Sequence, residues 1–246
     1  MSIVRTARLR ELGGLARDAL RYEGALVLLW RIVIKLLSPL GSVGIATLYE
    51  KDLRRPILDV RAKVDVSIAE AAGPDIERVM ELMARQPHGS RPTDGAEVRT
   101  HARELLQRGA KCFVAKVGDE IVHYNWLVFH WAEVLPISSG GRFIVLNDDE
   151  AFCMDAYTLP AWRGRAVHTA VLHTMLVWLR AAGIQTAYTA VRNDNKSSWK
   201  THERLEWTVR GMVFYLKQRK MRRAWVFRTH GIASRFVVPD KEHEDA

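Results

Sequence analysis

Several residues in this chain are of the types that move protons or hold anions, and their spacing limits what they can do together. His202 has an imidazole, whose ordinary pKa of about 6.5 suits it to accept or donate a proton near neutrality; the same residue can equally serve as a packing histidine in a short helix. Asp155 and Glu150 are carboxylates on one strand-like run and are candidates for a general base. Asp148 and Asp149 directly precede Glu150, so Glu150 also reads as part of a solvated acidic turn. Strict alternation would put Cys153, Asp155 and Tyr157 on one face of that strand. His123, Tyr124, Asn125 and Tyr157 are candidates to line a substrate pocket, while Trp126, Phe129 and Trp131 read as core. His168 and His173 are five residues apart, which is wrong for two ligands on one helix face. There is no HExxH, P-loop or GxGxxG pattern, and no metal site is expected.

The elements that must carry these residues can be read from periodicity. Val64, Val66 and Ile68 alternate with Asp65 and Ser67 as in a strand. Gly73-Pro74 opens a helix with Ile76, Val79, Met80 and Met83 on one face. A second helix, capped by Thr93 or Asp94, carries Val98, Ala102, Leu105 and Leu106 and ends at Gly109. Lys111–Val117 and Ile121–Trp131 form a hairpin around Gly118-Asp119. The Ser138-Ser139-Gly140-Gly141 turn marks a small inserted hairpin. Glu150–Leu159 is a strand ended by Pro160, and a long helix runs from Trp162 to Ala182 until Gly183. Gln185–Val191 is a strand, Lys196–Leu205 a short helix, and Val209–Lys217 with Ala224–Thr229 a last strand pair. The order is β-α-α-β-β-β-α-β-α-β-β, which predicts a mixed α/β sheet.

Composition bounds the rest. The 246 residues are 48% hydrophobic and 26% charged, enough for one domain with a full core. The formal net charge of +9 favours anionic partners. Cys112 and Cys153, far apart in apolar runs, read as buried free thiols of a reducing compartment. No signal peptide pattern stands at the start of the sequence, which points to a cytoplasmic protein. On a helix, Arg17, Arg21, Gly24, Leu28, Arg31 and Lys35 form one stripe against a broad apolar side, while Pro39 and Gly41 break the run. Residues 17–40 therefore read as a basic amphipathic helix that packs on its own domain, on a second subunit as in a homodimer, or on the inner membrane surface. Residues 49–63 read as a charged connector. The expected organisation is a helical extension and connector over 1–60, a main domain over 61–232 and a tail over 233–246. Residues 208–239 contain eight Lys and Arg and no acidic residue. That stretch reads as a solvated edge hairpin, or as a docking surface for an acidic carrier protein or anionic lipid. No nucleic-acid motif accompanies it, so nucleic acid is not an expected partner.

Two segments resemble one family. Tyr157 to Arg165, continuing through Ala166, Val167 and His168, is similar to the acyl-CoA-binding segment of the GNAT superfamily of N-acetyltransferases. There a strand ends, an Arg/Gln-x-x-Gly-x-Gly/Ala loop follows, and a long helix begins. Here Ala166 and His168 take the places of the two glycines. Further on, Asn195, Ser198, His202, Glu206 and Trp207 follow the family's Asn-x-x-Ala-x-x-x-Tyr-x-x-x-Gly-Phe spacing. His202 takes the place of the tyrosine that often protonates the leaving thiolate, and Glu206 that of a glycine. Together with the element order, the resemblance spans residues 64 to 230. It implies a GNAT-type, mostly antiparallel twisted sheet flanked by helices, and acyl transfer from acetyl-CoA or another acyl-CoA to a small or lipid- or sugar-linked amine. Leu159, Arg163, Gly164, Arg165, Ala166, Val167, His168, Thr169, Asn195 and Ser198 would hold the donor, with the Leu159 N–H polarising its carbonyl. His202, Glu150 and Asp155 would be catalytic, and His123, Asn125 and Tyr157 would face the acceptor. Two other readings stay open: a long-chain N-acyl amino acid synthase-like enzyme fed by acyl carrier protein, and a non-catalytic module of the same fold.

Overall fold

The structure is a computed structural model, and it describes residues 41–85, 95–135, 142–218 and 236–237. The amphipathic segment 17–40, the caps Thr93 and Asp94, the Ser138–Gly141 turn and the expected strand 224–229 lie outside the described residues.

The elements, in chain order, are β1 (Gly41–Asp52), β2 (Ser67–Glu70), α1 (Pro74–Ala84), α2 (Gly95–Gln107), β3 (Lys111–Val117), β4 (Glu120–Val128), β5 (Trp131–Leu135), β6 (Arg142–Val145) and β7 (Glu150–Thr158). A single 3-10 turn at Pro160–Trp162 leads to α3 (Val167–Ala181), β8 (Thr186–Arg192), α4 (Lys196–Arg204), β9 (Thr208–Gln218) and β10 (Phe236–Val237). Seven strands form one sheet in the order β2-β3-β4-β7-β8-β1-β9, and a small second sheet runs β10-β6-β5. Every neighbouring pair in the large sheet is antiparallel except β7 and β8.

The two faces of the large sheet carry separate cores. Val79, Met80, Ala102 and Leu105 of α1 and α2 pack on Tyr124, Trp126 and Phe152. Val171, Leu172, Met175 and Leu179 of α3 pack on Phe113, Val122 and Cys153. Both cysteines are buried and free, and burial raises their thiol pKa values, that of Cys153 to about 12. Among the described residues no helix is long and apolar enough to cross a membrane.

One strand departs from the sequence reading. Residues 49–63 read as a connector, yet β1 runs through Asp52 and sits inside the sheet between β8 and β9. Ala46, Leu48 and Tyr49 are each at most 5% exposed, because this strand is covered on both faces. Such a strand reads as one apolar run without alternation, and here the run continues the apolar residues before it. β9 pairs with β1 on the other side.

After β1, residues 57–66 form an extended strap. Val60 is buried and Ala62, Val64 and Val66 are half-buried, all toward the α3 core, while Arg61, Lys63 and Asp65 face solvent. The alternation seen in the sequence is real, but strand pairing begins only at Ser67.

Candidate active site

The loop before α3 is built from two left-handed residues. Gly164 has φ 76, and Ala166, the N-cap of α3, has φ 58 and ψ 18. No side chain caps this helix, and its first turn contains no acidic residue. Its orphan N–H groups thus retain the capacity to bind an anion. Arg163 donates through Nε to the Thr158 carbonyl at 3.2 Å and lies over the Tyr157 ring. Arg165 lies over Trp162, with its guanidinium carbon 4.9 Å from the ring centre. Ala166 is in a conformation that costs an L-residue roughly 1–2 kcal/mol and glycine little. Ala166→Gly is expected to raise Tm by about 2 °C, read by a thermal melt; an unchanged or lower Tm would contradict the left-handed N-cap.

β7 and β8 lie side by side only over Glu150–Cys153 and Thr186–Thr189. Beyond Cys153, β7 stays on β4 while β8 stays on β1, so the sheet divides at its one parallel junction. The division coincides with a bulge: Asp155 has φ 58, and the β4–β7 register shifts between Tyr124 and Trp126. The bulge breaks the alternation expected for this strand. Cys153 belongs to the α3 face, whereas Tyr157 packs with the α1 and α2 core, and Asp155 turns to α2. Cys153, Asp155 and Tyr157 therefore do not share a face.

On the α1 and α2 side, the Asp155 carboxylate stands 3.9 Å from Nε2 of His101. His101 was not among the sequence candidates. Its signal was its place on the stripe Val98, His101, Ala102, Leu105, the buried face of α2. Tyr157 lies next to Tyr124 on the same side.

On the opposite face three imidazoles form a row from β4 across α3 to α4. His123 stacks on His168 with ring centres 5.2 Å apart, and His168 meets His202 edge-on at 6.1 Å. Tyr49 of β1 stacks on His202, and Trp207 packs against its edge. His123 Nδ1 shares a 2.8 Å hydrogen bond with Thr158 Oγ1. His202 Nδ1 lies 2.7 Å from the Ser198 carbonyl, which can only accept, so Nδ1 holds the proton. Burial lowers all three imidazole pKa values: His123 well below its usual range with help from His168, His168 to about 3 with help from His202, and His202 to about 4 against the Ser198 carbonyl. The row is neutral at pH 7. The single proton of His202 is then the Nδ1 proton held by the Ser198 carbonyl, so the donor half of its expected role does not fit.

Other expected site residues are redistributed. The Leu159 N–H is already donated to the Val122 carbonyl at 3.0 Å, which leaves it unavailable to a thioester. Alternation turns the N–H of the preceding residue, Thr158, to the edge facing the division of the sheet. Glu150 accepts from the Asn147 N–H at 2.8 Å and from the Tyr188 hydroxyl at 3.2 Å. It stands at the far end of β7, about 26 Å from Thr158 at ~3.3 Å per residue, so it cannot act at the loop. His123 and Asn125 pair across the sheet with Ala115 and Phe113 on the α3 face, away from Tyr157. Asn195 caps α4 by accepting from the Ser198 N–H at 3.1 Å, and Thr169 meets Thr201 at 3.3 Å. Asn195, Ser198 and Thr169 thus position α4. Glu206 adopts φ 56, so the turn that glycine forms in the resembled motif is made here by a strained glutamate. Its carbonyl and carboxylate both face the buried Lys51. Among the described residues no group of three or more His, Cys, Asp or Glu side chains is placed to hold a metal ion.

The family model of the acetyltransferase (GNAT) family matches residues 76–207, which runs from α1 through the end of α4. The chain belongs to the GNAT acetyltransferase family. This GNAT fold is also seen in solved structures. A GCN5-related N-acetyltransferase from Sphaerobacter thermophilus is 12% identical with a TM-score of 0.55, over 84% of this chain and 60% of that one. A GNAT-family acetyltransferase from Colwellia psychrerythraea is 12% identical with a TM-score of 0.52, over 74% of this chain and 59% of that one. The chain thus spans about 60% of the length of these two structures. No curated protein sequence matches it. In this GNAT chain β1 and the strap lie before the matched region.

Proposed function

We propose that this GNAT chain transfers an acyl group from an acyl-CoA to a primary amine, with the donor on the α3 side of the divided sheet and the amine on the α1 and α2 side. The observation that carries this reading is the coincidence of three features: the single parallel junction where the sheet divides, the bulge at Asp155, and the uncapped, left-handed loop at the start of α3. The His168 ring is turned between His123 and His202, so it does not occupy the outer mouth of the first turn. Arg163, Arg165 and the first N–H groups of α3 would hold the donor's phosphates. The donor supplies the thioester carbonyl, and the Thr158 N–H is the hydrogen-bond donor nearest to hand for its developing oxyanion. Asp155, oriented by His101, takes the proton from the ammonium of the acceptor, and the free amine then attacks. The new C–N bond forms as the C–S bond breaks, and the thiolate leaves with a proton drawn from the amine. Holding the two reactants on either side of one opening supplies much of the rate.

The test is a side-by-side titration of the full chain with acetyl-CoA, a long-chain acyl-CoA and an acyl carrier protein, read by calorimetry and thermal shift. Binding of one donor must raise Tm. A preference for the carrier protein would replace free acyl-CoA as the donor, and no binding at all would make the chain a non-catalytic module. Asp155→Asn is expected to lower kcat/KM about 10²–10⁴-fold while donor affinity stays within twofold. Unchanged turnover would remove Asp155 from the mechanism. Membrane contact through residues 17–40 belongs to the same proposal and rests on the sequence pattern.

A further inference from the structure

Between the strap and α3 lies an open cavity of about 540 Å³, lined by residues 59–66 and Ile68 on one side and by Ala170, His173 and Thr174 on the other. None of these residues has a part in the chemistry above. The volume is in the range of small-molecule sites. The cavity is joined to the donor loop, because the Lys63 N–H donates to the Arg165 carbonyl at 2.8 Å. That bond fixes the strap to the loop itself, between the left-handed residues Gly164 and Ala166. It also brings the exposed Lys63 side chain to the loop from a part of the chain that precedes the family-matched region.

The charges around the opening are mixed. Asp59 lies 3.6 Å from Arg61, so those two offset each other. Lys63 stands between Arg61 and Asp65 on the exposed edge of the strap. The loop already carries Arg163, which donates to the Thr158 carbonyl, and Arg165, which lies over the Trp162 ring. Among the described residues, Lys63 adds a third cation to this loop, supplied by the strap. Beneath it the strap presents half-buried Val64 and Val66, an apolar floor with a cationic rim.

We infer that this cavity receives the phosphorylated adenosine end of the acyl donor, with Lys63 meeting the 3′-phosphate and the strap valines and Ala170 under the base. The inference rests on the acyl-CoA reading and adds a recognition element from outside the family core. It makes the strap a selector for nucleotide-bearing donors over carrier-bound pantetheine.

Calorimetric titration of the full chain with coenzyme A and with 3′-dephospho-coenzyme A tests it. Wild type is expected to prefer coenzyme A by about tenfold, the scale of one charge-assisted phosphate contact near a surface. Lys63→Ala is expected to bring coenzyme A down to the affinity of the dephospho form and leave the latter unchanged. Arg54→Ala removes an equal charge on an exposed residue that precedes the strap, and is expected to change neither affinity. Equal binding of both ligands by wild type would overturn the adenosine site and leave the acyltransferase reading standing, as would an equal loss for both in Lys63→Ala at unchanged Tm. Failure of both ligands to bind wild type would overturn the acyl-CoA reading and this inference with it.

Discussion

Deleting residues 1–52 is expected to abolish cooperative folding, whereas deleting residues 1–40 keeps every described strand pair. β1 is in register with β8 from Ala46 to Asp52 and with β9 from Gly41 to Glu50. Its removal leaves the facing edges of β8 and β9 unpaired in the middle of a sheet, where each unsatisfied backbone group costs about 1–3 kcal/mol. Leu48 is 2% exposed and Tyr49 5%, and each side chain contributes roughly 2 kcal/mol by burial. Against a net stability of about 5–15 kcal/mol, these losses exceed what the domain can spare. Urea unfolding followed by far-UV circular dichroism decides the matter. The shorter deletion should give a sigmoidal transition and the longer none; a cooperative transition at the wild-type midpoint in both would mean that β1 is not part of the sheet. The same argument sets the cut for any test of membrane contact by residues 17–40. Vesicle flotation has to compare the full chain with a chain starting at residue 41, because a longer cut unfolds the domain and exposes core.

Stability is expected to fall steeply between pH 6.5 and 5, before the carboxylates titrate. His123 and His202 are 1% and 2% exposed, and burial lowers both pKa values below that of an unfolded chain. Between pH 6.5 and the folded pKa, about 4 for His202, the unfolded chain binds protons that the native one refuses. The stabilisation is therefore complete above pH 6.5 and drains away as pH falls through that window. His168, lowered to about 3, adds a third such group. Each imidazole accounts for up to about 1.4 kcal/mol per pH unit, so the three cost roughly 5–6 kcal/mol between pH 7 and 5. The neighbours around the row are Tyr49, Thr158 and Trp207, with the Tyr49 pKa raised by burial and, in addition, by Glu203. Urea midpoints at pH 7, 6 and 5 should show the decline, and His202→Gln should reduce its slope by about a third. A flat profile in wild type would mean that the histidine row is open to water.

Residues that act through short-range pattern were legible before any fold was known. The loop at Gly164 and the helix after it could be read, because a glycine before a helix start has the same backbone meaning in any fold. The short helix α4 could be read from residue 196 on, although Asn195 and Ser198, expected to hold the donor, turn out to form its cap. The α1 and α2 faces could be read from their period of 3.6, and the two thiols from their apolar surroundings. What could not be read was everything that depends on two distant segments meeting. The bulge at Asp155 exists because β7 pairs with β4, and it sends a carboxylate that alternation would keep with Cys153 across to His101 instead. The Leu159 N–H is spent on Val122, a partner 37 positions earlier in the chain. His123, His168 and His202 are separated by 45 and 34 positions, yet packing of α3 and α4 on the sheet puts their rings in one row and expels the water that would charge them. β1 was hidden for the opposite reason: a strand covered on both faces carries no alternation, so its sequence cannot say which neighbours it joins. Local chemistry is written along the chain. The depressed histidine pKa values, the committed amide and the strand between β8 and β9 are products of burial and pairing, which only the tertiary structure decides.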